Sequence, residues 1–233
     1  MSISLSALLP VRNVQAVLES ALVNLLETLA ELTRSVELIV LDDGSTDATI
    51  EVLSEMSVCY PQIKGFRFGQ SRGWAEAIRT ALAEATGQIL FFEEPGCVLP
   101  WDQLPLLWNA ALKYPVVIGR PAGAGLHIPG LPGASEDGPS AGCVSPATYQ
   151  LVRRATMLRL AGRLTDGVSF RQLLLQEGIG WQERILAARS RREQEILYPL
   201  SRPWDSLPAR TDRPQPQASP PNYLVHLLEE KVP

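Results

Sequence analysis

The 233-residue chain is long enough for one large domain, or for one domain with a tail. Apolar residues make up 45% of it, the net charge is −4 and the pI is about 5.3, so a sizeable core is within reach and a general electrostatic pull toward nucleic acid or anionic lipid is excluded. Cys59, Cys97 and Cys143 lie far apart with no CxxC, which argues against a disulfide framework or a zinc site and fits a reducing compartment.

The opening MSISLSALLPVRN has no basic start and its apolar run is broken by Pro10, so it does not read as a signal peptide. Residues 3–9 predict a short strand stopped by Pro10, and Asn13 is placed to cap a helix over 14–33, where Val14, Leu18, Leu22, Leu25 and Leu29 recur at helical spacing. VELIVL at 36–41 is a β-branched run suited to a sheet covered on both faces. It ends in Asp42-Asp43-Gly44, and Ser45 or Thr46 opens a helix through Met56. Strands are expected at 63–68, 88–92 and 115–119, with helices at 74–85 and 101–113 between them. Residues 121–140 are a Gly/Pro-rich loop, and 146–162 and 168–178 read as helices. Prolines crowd 199–222, which predicts an extended arm, while YLVHLLEEKV at 223–232 has a helical apolar face able to dock on the domain or on a second copy. No apolar stretch approaches the ~20 residues of a membrane helix. The expected location is cytoplasmic, with peripheral membrane contact left open by the arginines after residue 150.

Strand and helix thus alternate over the first 120 residues, the pattern of a mostly parallel sheet with helices on both faces. Ligands in such sheets sit at the carboxyl ends of the strands. Three of those ends, PVRN, LDDGSTD and EEPG, carry polar, turn-forming sequence and should converge on one crevice.

LDDGSTDAT (41–49) resembles the nucleotide-binding segment of family 2 glycosyltransferases, which have the GT-A fold. ALLPVRN (7–13) looks like that family's first strand, SRGWAEAIRTALAEATGQIL (71–90) like its Asn-x-Gly helix, and VVIGR (116–120) and AGCVSPATYQLV (141–152) like later segments of dolichyl-phosphate mannose synthase-like members. The resemblance covers residues 3–195; it implies a GT-A domain over 1–198 followed by a Pro-rich arm over 199–233, through which a homo-oligomer could form. It further implies a UDP- or GDP-sugar donor and an acceptor that is a glycan, a lipid phosphate or a protein, with no role for nucleic acid. By position Asp43 accepts a base N–H, Asp42 supports the turn, Gly44 permits it and Ser45 or Thr46 caps the next helix. Pro10 and Arg12 line the base pocket, and Arg72 stands near a pyrophosphate.

The family's Asp-x-Asp holds Mg²⁺ or Mn²⁺, which neutralises the leaving diphosphate. In ILFFEEPGCVLP (89–100) those positions fall on Glu94 and Gly96, so one carboxylate is missing. Glu93 is not a simple substitute, because neighbours on an extended strand point apart. Three readings stand open: a weakened metal site on Glu93 and Glu94, metal-free transfer screened by arginines, or binding without transfer. Asp166 in LTDGVSF lies where inverting members place a catalytic base, though transfer to a lipid phosphate needs none. Trp74 either covers the donor pocket or fills core. A nucleotidyltransferase on a similar sheet would want a Gly-rich basic loop after the first strand, which PVRNVQ is not.

Overall fold

The computed structural model describes residues 3–95, 97, 101–121, 148–187 and 226–227. Among these residues eight strands form one sheet: β1 Leu5–Val11, β2 Val36–Asp42, β3 Ile63–Arg67, β4 Ile89–Glu93, β5 Val116–Pro121, β6 Tyr149–Arg153, β7 Gln182–Leu186 and β8 His226–Leu227. In space they run β7-β5-β6-β4-β1-β2-β3-β8. Every neighbouring pair is parallel except those of β6, which is antiparallel to both β4 and β5. The helices are α1 Leu18–Leu32, α2 Thr49–Cys59, α3 Trp74–Glu84, α4 Leu104–Ala111, α5 Arg154–Leu160 and α6 Phe170–Gln176.

Strand alternation divides the core between two faces. Leu5, Ala7, Leu9, Leu38, Val40 and Phe91 meet the leucines of α1 and the Leu104–Trp108 stretch of α4. Leu8, Ile39, Leu41, Leu90 and Phe92 meet Ala77, Ile78 and Ala81 of α3 and Phe170, Leu173 and Leu174 of α6. Both faces being covered is why β1, β2 and β4 are nearly continuous apolar runs. Near the amino ends, Glu37 of β2 is a polar latch. It accepts from Ser6 at 2.6 Å, from the Thr86 N–H at 2.6 Å and from Lys64 at 2.6 Å. Burial raises the Glu37 pKa, but these bonds outweigh it and hold the carboxyl at about 2.

The structure corrects several boundaries. Pro10 does not stop β1, which runs on to Val11. β4 pairs only with Leu5–Leu8, so Pro10 has already passed its neighbour on that side and its missing N–H breaks no rung there. Asn13 is not the cap of α1, which begins five residues later at Leu18. Its backbone is left-handed, φ +52°, and its side chain accepts the Thr46 N–H at 2.9 Å. The next amides are also spent on the neighbouring loop: Val14 N–H on Thr49 Oγ1 at 2.9 Å and Gln15 N–H on Asp47 at 3.2 Å. Likewise α2 opens at Thr49, not at Ser45 or Thr46, because Asp47 takes the Thr49 N–H at 3.0 Å while Ser45 turns back to Asp42.

Within 146–162, residues Tyr149–Arg153 are strand, not helix, and the helix starts only at Arg154. YQLVR is enclosed between β4 and β5, and a short apolar run of this kind has no periodicity that separates strand from helix. In the tail, His226–Leu227 is a strand beside Phe66–Arg67 and covers the outer edge of β3, where a helix was expected. The 121–140 loop beyond Pro121, Gly96 and the 199–222 arm lie outside the described residues.

Candidate active site at the carboxyl edge of the sheet

β1 to β5 and β7 all point the same way, so their carboxyl ends share one edge, which the start of the reversed strand β6 also reaches. The two aspartates that end β2 are both fully buried and do different work. Asp42 closes its own turn: one oxygen accepts the Ser45 N–H at 2.9 Å and the Ser45 hydroxyl. Its second oxygen faces Arg67 Nε at 3.5 Å, and Arg67 also donates to the Ser45 carbonyl at 3.1 Å. Burial holds the Asp42 carboxyl above its ordinary pKa, against the Ser45 bonds and the Arg67 charge.

Asp43 reaches across to the connection between β3 and α3. It accepts the Arg72 N–H at 2.7 Å, the Ser71 hydroxyl at 2.5 Å and the Gly73 N–H at 3.3 Å. Gly44 between the loops has φ +68°, and a Cβ there would lie 2.7 Å from the Ser71 nitrogen. Only glycine therefore lets the two loops close on each other. Ser71 Oγ also accepts from Arg12 at 3.4 Å, and the Arg72 guanidinium lies 4.7 Å from the Phe68 ring centroid. The structure thus gathers Arg12, Asp42, Asp43, Gly44, Ser45 and Arg72 into one knot, with Pro10 at the strand end beside it. Ser71 and Gly73 are the members that sequence reasoning did not single out; they lie in the SRGW stretch, where Ser71 takes the Asn position of the Asn-x-Gly pattern.

The glutamates ending β4 serve opposite faces. Glu93 is partly buried and accepts the Trp101 indole N–H at 2.5 Å. Burial lifts its carboxyl to about 7, against the pull of that bond. Glu94 turns to the other side: it accepts the Thr148 N–H at 3.0 Å, the Thr148 hydroxyl at 2.5 Å and the Phe170 N–H at the start of α6 at 2.6 Å. Thr148 in turn accepts from Gln150 at 2.6 Å. Neither Thr148 nor the Phe170 amide carried a sequence signal for this role. A divalent cation asks for several oxygens on one point. Glu93 and Glu94 do not offer that here, and among the described residues no three His, Cys, Asp or Glu side chains converge on a metal position.

Trp74 is core: it packs against Phe92 and its indole donates to the Glu93 carbonyl at 2.9 Å. Arg79 is bonded to Glu76 at 2.8 Å and to the Leu164 carbonyl at 2.6 Å. Asp166 is exposed, and one of its oxygens accepts the Ala75 N–H at 2.9 Å in the first turn of α3. That turn comes directly after the Ser71–Gly73 stretch held by Asp43.

Comparison with known proteins supplies a context for this geometry. The model of the family Glycosyl transferase family 2 matches residues 6–165. An uncharacterized glycosyltransferase of Haemophilus influenzae is 28% identical over 114 residues, which span 49% of this chain and 44% of that protein. Among solved structures, the mannosyltransferase PcManGT of Pyrobaculum calidifontis, in complex with GDP-Man and Mn²⁺, has a TM-score of 0.57 at 17% identity, covering 84% of this chain and 60% of that one. Glucosyl-3-phosphoglycerate synthase of Mycobacterium tuberculosis, in complex with phosphoglyceric acid, gives 0.53 at 21% identity over 83% of this chain and 75% of that one. The 4-diphosphocytidyl-2C-methyl-D-erythritol synthase of Anaerococcus prevotii gives 0.56 at 11% identity over 84% and 96%. At such identities the likeness is one of architecture, and the architecture is the GT-A fold.

Proposed function

Because this chain belongs to glycosyl transferase family 2, we propose that it moves a sugar from a UDP- or GDP-linked donor to a separate acceptor, in the manner of dolichyl-phosphate mannose synthase-like members. The observation that carries this reading is the Asp43 knot. A buried carboxylate at the end of β2 fixes three donors of the Ser71–Gly73 turn, beside two arginines, at the edge where such sheets take ligands. In this reading the nucleotide seats between the end of β1, with Pro10 and Arg12, and the Gly44–Ser45 turn. Asp43 acts by holding the turn against which the base packs.

The leaving diphosphate needs positive charge. Glu93 and Glu94 face apart and Glu94 is committed to Thr148 and Phe170, so no step is assigned to a metal ion. Arg12 and Arg72 carry that charge instead, through bidentate contacts to phosphate oxygens. Among the described residues the buried Arg12 Nε has no hydrogen-bond partner. An acceptor that is already ionised, such as a lipid phosphate, asks for no base. Among the described residues no helix is long and apolar enough to cross a membrane, so a lipid acceptor would be met by this domain at the membrane surface.

The second reading, a binding protein of the same fold that transfers nothing, is favoured by one observation: Glu94, at the position of the family's first metal carboxylate, is spent inside the protein. Release of UDP or GDP from a panel of sugar nucleotides, with lipid-phosphate and glycan acceptors, separates the two. Acceptor-dependent release that Asp43→Ala abolishes supports transfer. Saturable binding with no release under any acceptor supports the binding protein.

A further inference from the structure

We propose that Asp166 is a positioning residue that sets nucleotide affinity by clamping the first turn of α3 from the later half of the chain. The inference rests on the nucleotide-site reading above. Gly73 lies between two carboxylates. On one side its N–H donates to Asp43 at 3.3 Å; on the other, a Cβ at Gly73 would lie 2.2 Å from an oxygen of Asp166. The glycine backbone, at φ +88°, is thus where the donor-side carboxylate and the Asp166 carboxylate meet the same residue. The other Asp166 oxygen accepts the Ala75 N–H at 2.9 Å.

α3 has no cap from its own side chains: its N-cap is Gly73, which offers none. The first turn of a helix leaves four N–H groups without helical partners, and a carboxylate there gains from both the bond and the helix dipole. Asp166 supplies the missing cap from a segment 91 positions away in sequence. Arg79, one turn along α3, holds the same segment through the Leu164 carbonyl at 2.6 Å. Two bonds therefore fasten the Leu164–Asp166 stretch to α3, and α3 carries the Ser71–Gly73 turn that Asp43 grips.

A cap and a base respond differently to one substitution. Asn keeps an oxygen acceptor for the Ala75 N–H and cannot take a proton; Ala removes both. Titration of UDP and GDP into the whole protein is paired with amide exchange at Ala75. Asp166→Asn is expected to bind within about twofold of wild type with Ala75 still protected. Asp166→Ala is expected to bind roughly tenfold more weakly, with faster exchange at Ala75, the loss of one charge-assisted bond and cap. Wild-type affinity and protection in Asp166→Ala would overturn the clamp, as would Asp166→Asn losing donor turnover while both variants bind normally, the pattern of a base. If wild type binds neither nucleotide, the donor-site reading fails by itself. Ala75 exchange then still decides the clamp: unchanged protection in Asp166→Ala rejects it.

Discussion

Glu93 carries the most readable chemistry of any single residue at the carboxyl edge. Its carboxyl is raised by burial from 4.5 to about 7, with the Trp101 indole as partner. The unfolded chain ionises this group near 4.5 while the folded one holds its proton, so stability is lost as pH rises from about 4.5 through 7. Glu93→Gln should flatten that part of the profile. Denaturant midpoints at pH 5 and pH 8 should fall further apart in wild type than in the variant, and equal spacing in both would reject the buried-acid account. That Glu93 and Glu94 diverge was legible from strand alternation alone. Where Glu94 goes was not. Its partners, Thr148 and the Phe170 amide, lie 54 and 76 positions away, and contacts at such separation leave no local pattern. Asp43 shows the same limit: the motif marked the residue, but its commitment to Ser71, Arg72 and Gly73 arises only when β2 and β3 pair.

Among the elements, the strands β1 to β5 and the start of α3 were legible, while the starts of α1 and α2 and the strands β6, β7 and β8 were not. β1, β2 and β4 are buried apolar runs rich in leucine, β-branched and aromatic residues, a pattern that survives any loop arrangement. The starts of α1 and α2 moved because Asn13, Gln15 and Thr49 bond between the two loops, and Asp47 both joins that exchange and takes the Thr49 N–H that opens α2. β6 was hidden because a five-residue enclosed strand running into a helix reads as one apolar segment. At the opposite edge, Glu37 latches Ser6, Lys64 and Thr86, and so ties β1, β2, β3 and the start of β4 together. Its folded pKa near 2 lies below the unfolded 4.5, so this contribution is complete above pH 4.5 and is lost as pH falls toward 2. Glu37→Gln should therefore lower the thermal midpoint at pH 7 and narrow the difference from wild type at pH 2.5. A deficit that is the same at both values would show that the latch does not act through its charge.

At the scale of the molecule, a mostly parallel sheet with helices on both faces brings separate strand ends to one edge. The proposed nucleotide site, the diverging glutamates and the Asp166 clamp all lie there, while the Glu37 latch holds the other end. The alternation of strand and helix along the chain was readable through β5. The reversed β6 between β4 and β5, and the tail strand on β3, were not, since pairing between distant segments is set by the whole sheet and not by local sequence. The central claim is that this edge binds a nucleotide sugar without a metal held by Glu93 and Glu94. Calorimetric titration of UDP, GDP and UDP-glucose into the whole protein, once with Mn²⁺ and once with EDTA, tests it most directly. The account predicts saturable binding of a nucleotide of similar strength in both conditions, weakened roughly 10- to 100-fold by Asp43→Ala through loss of its charged hydrogen bonds. Binding that appears only with Mn²⁺, or no binding of any of the three, would contradict it.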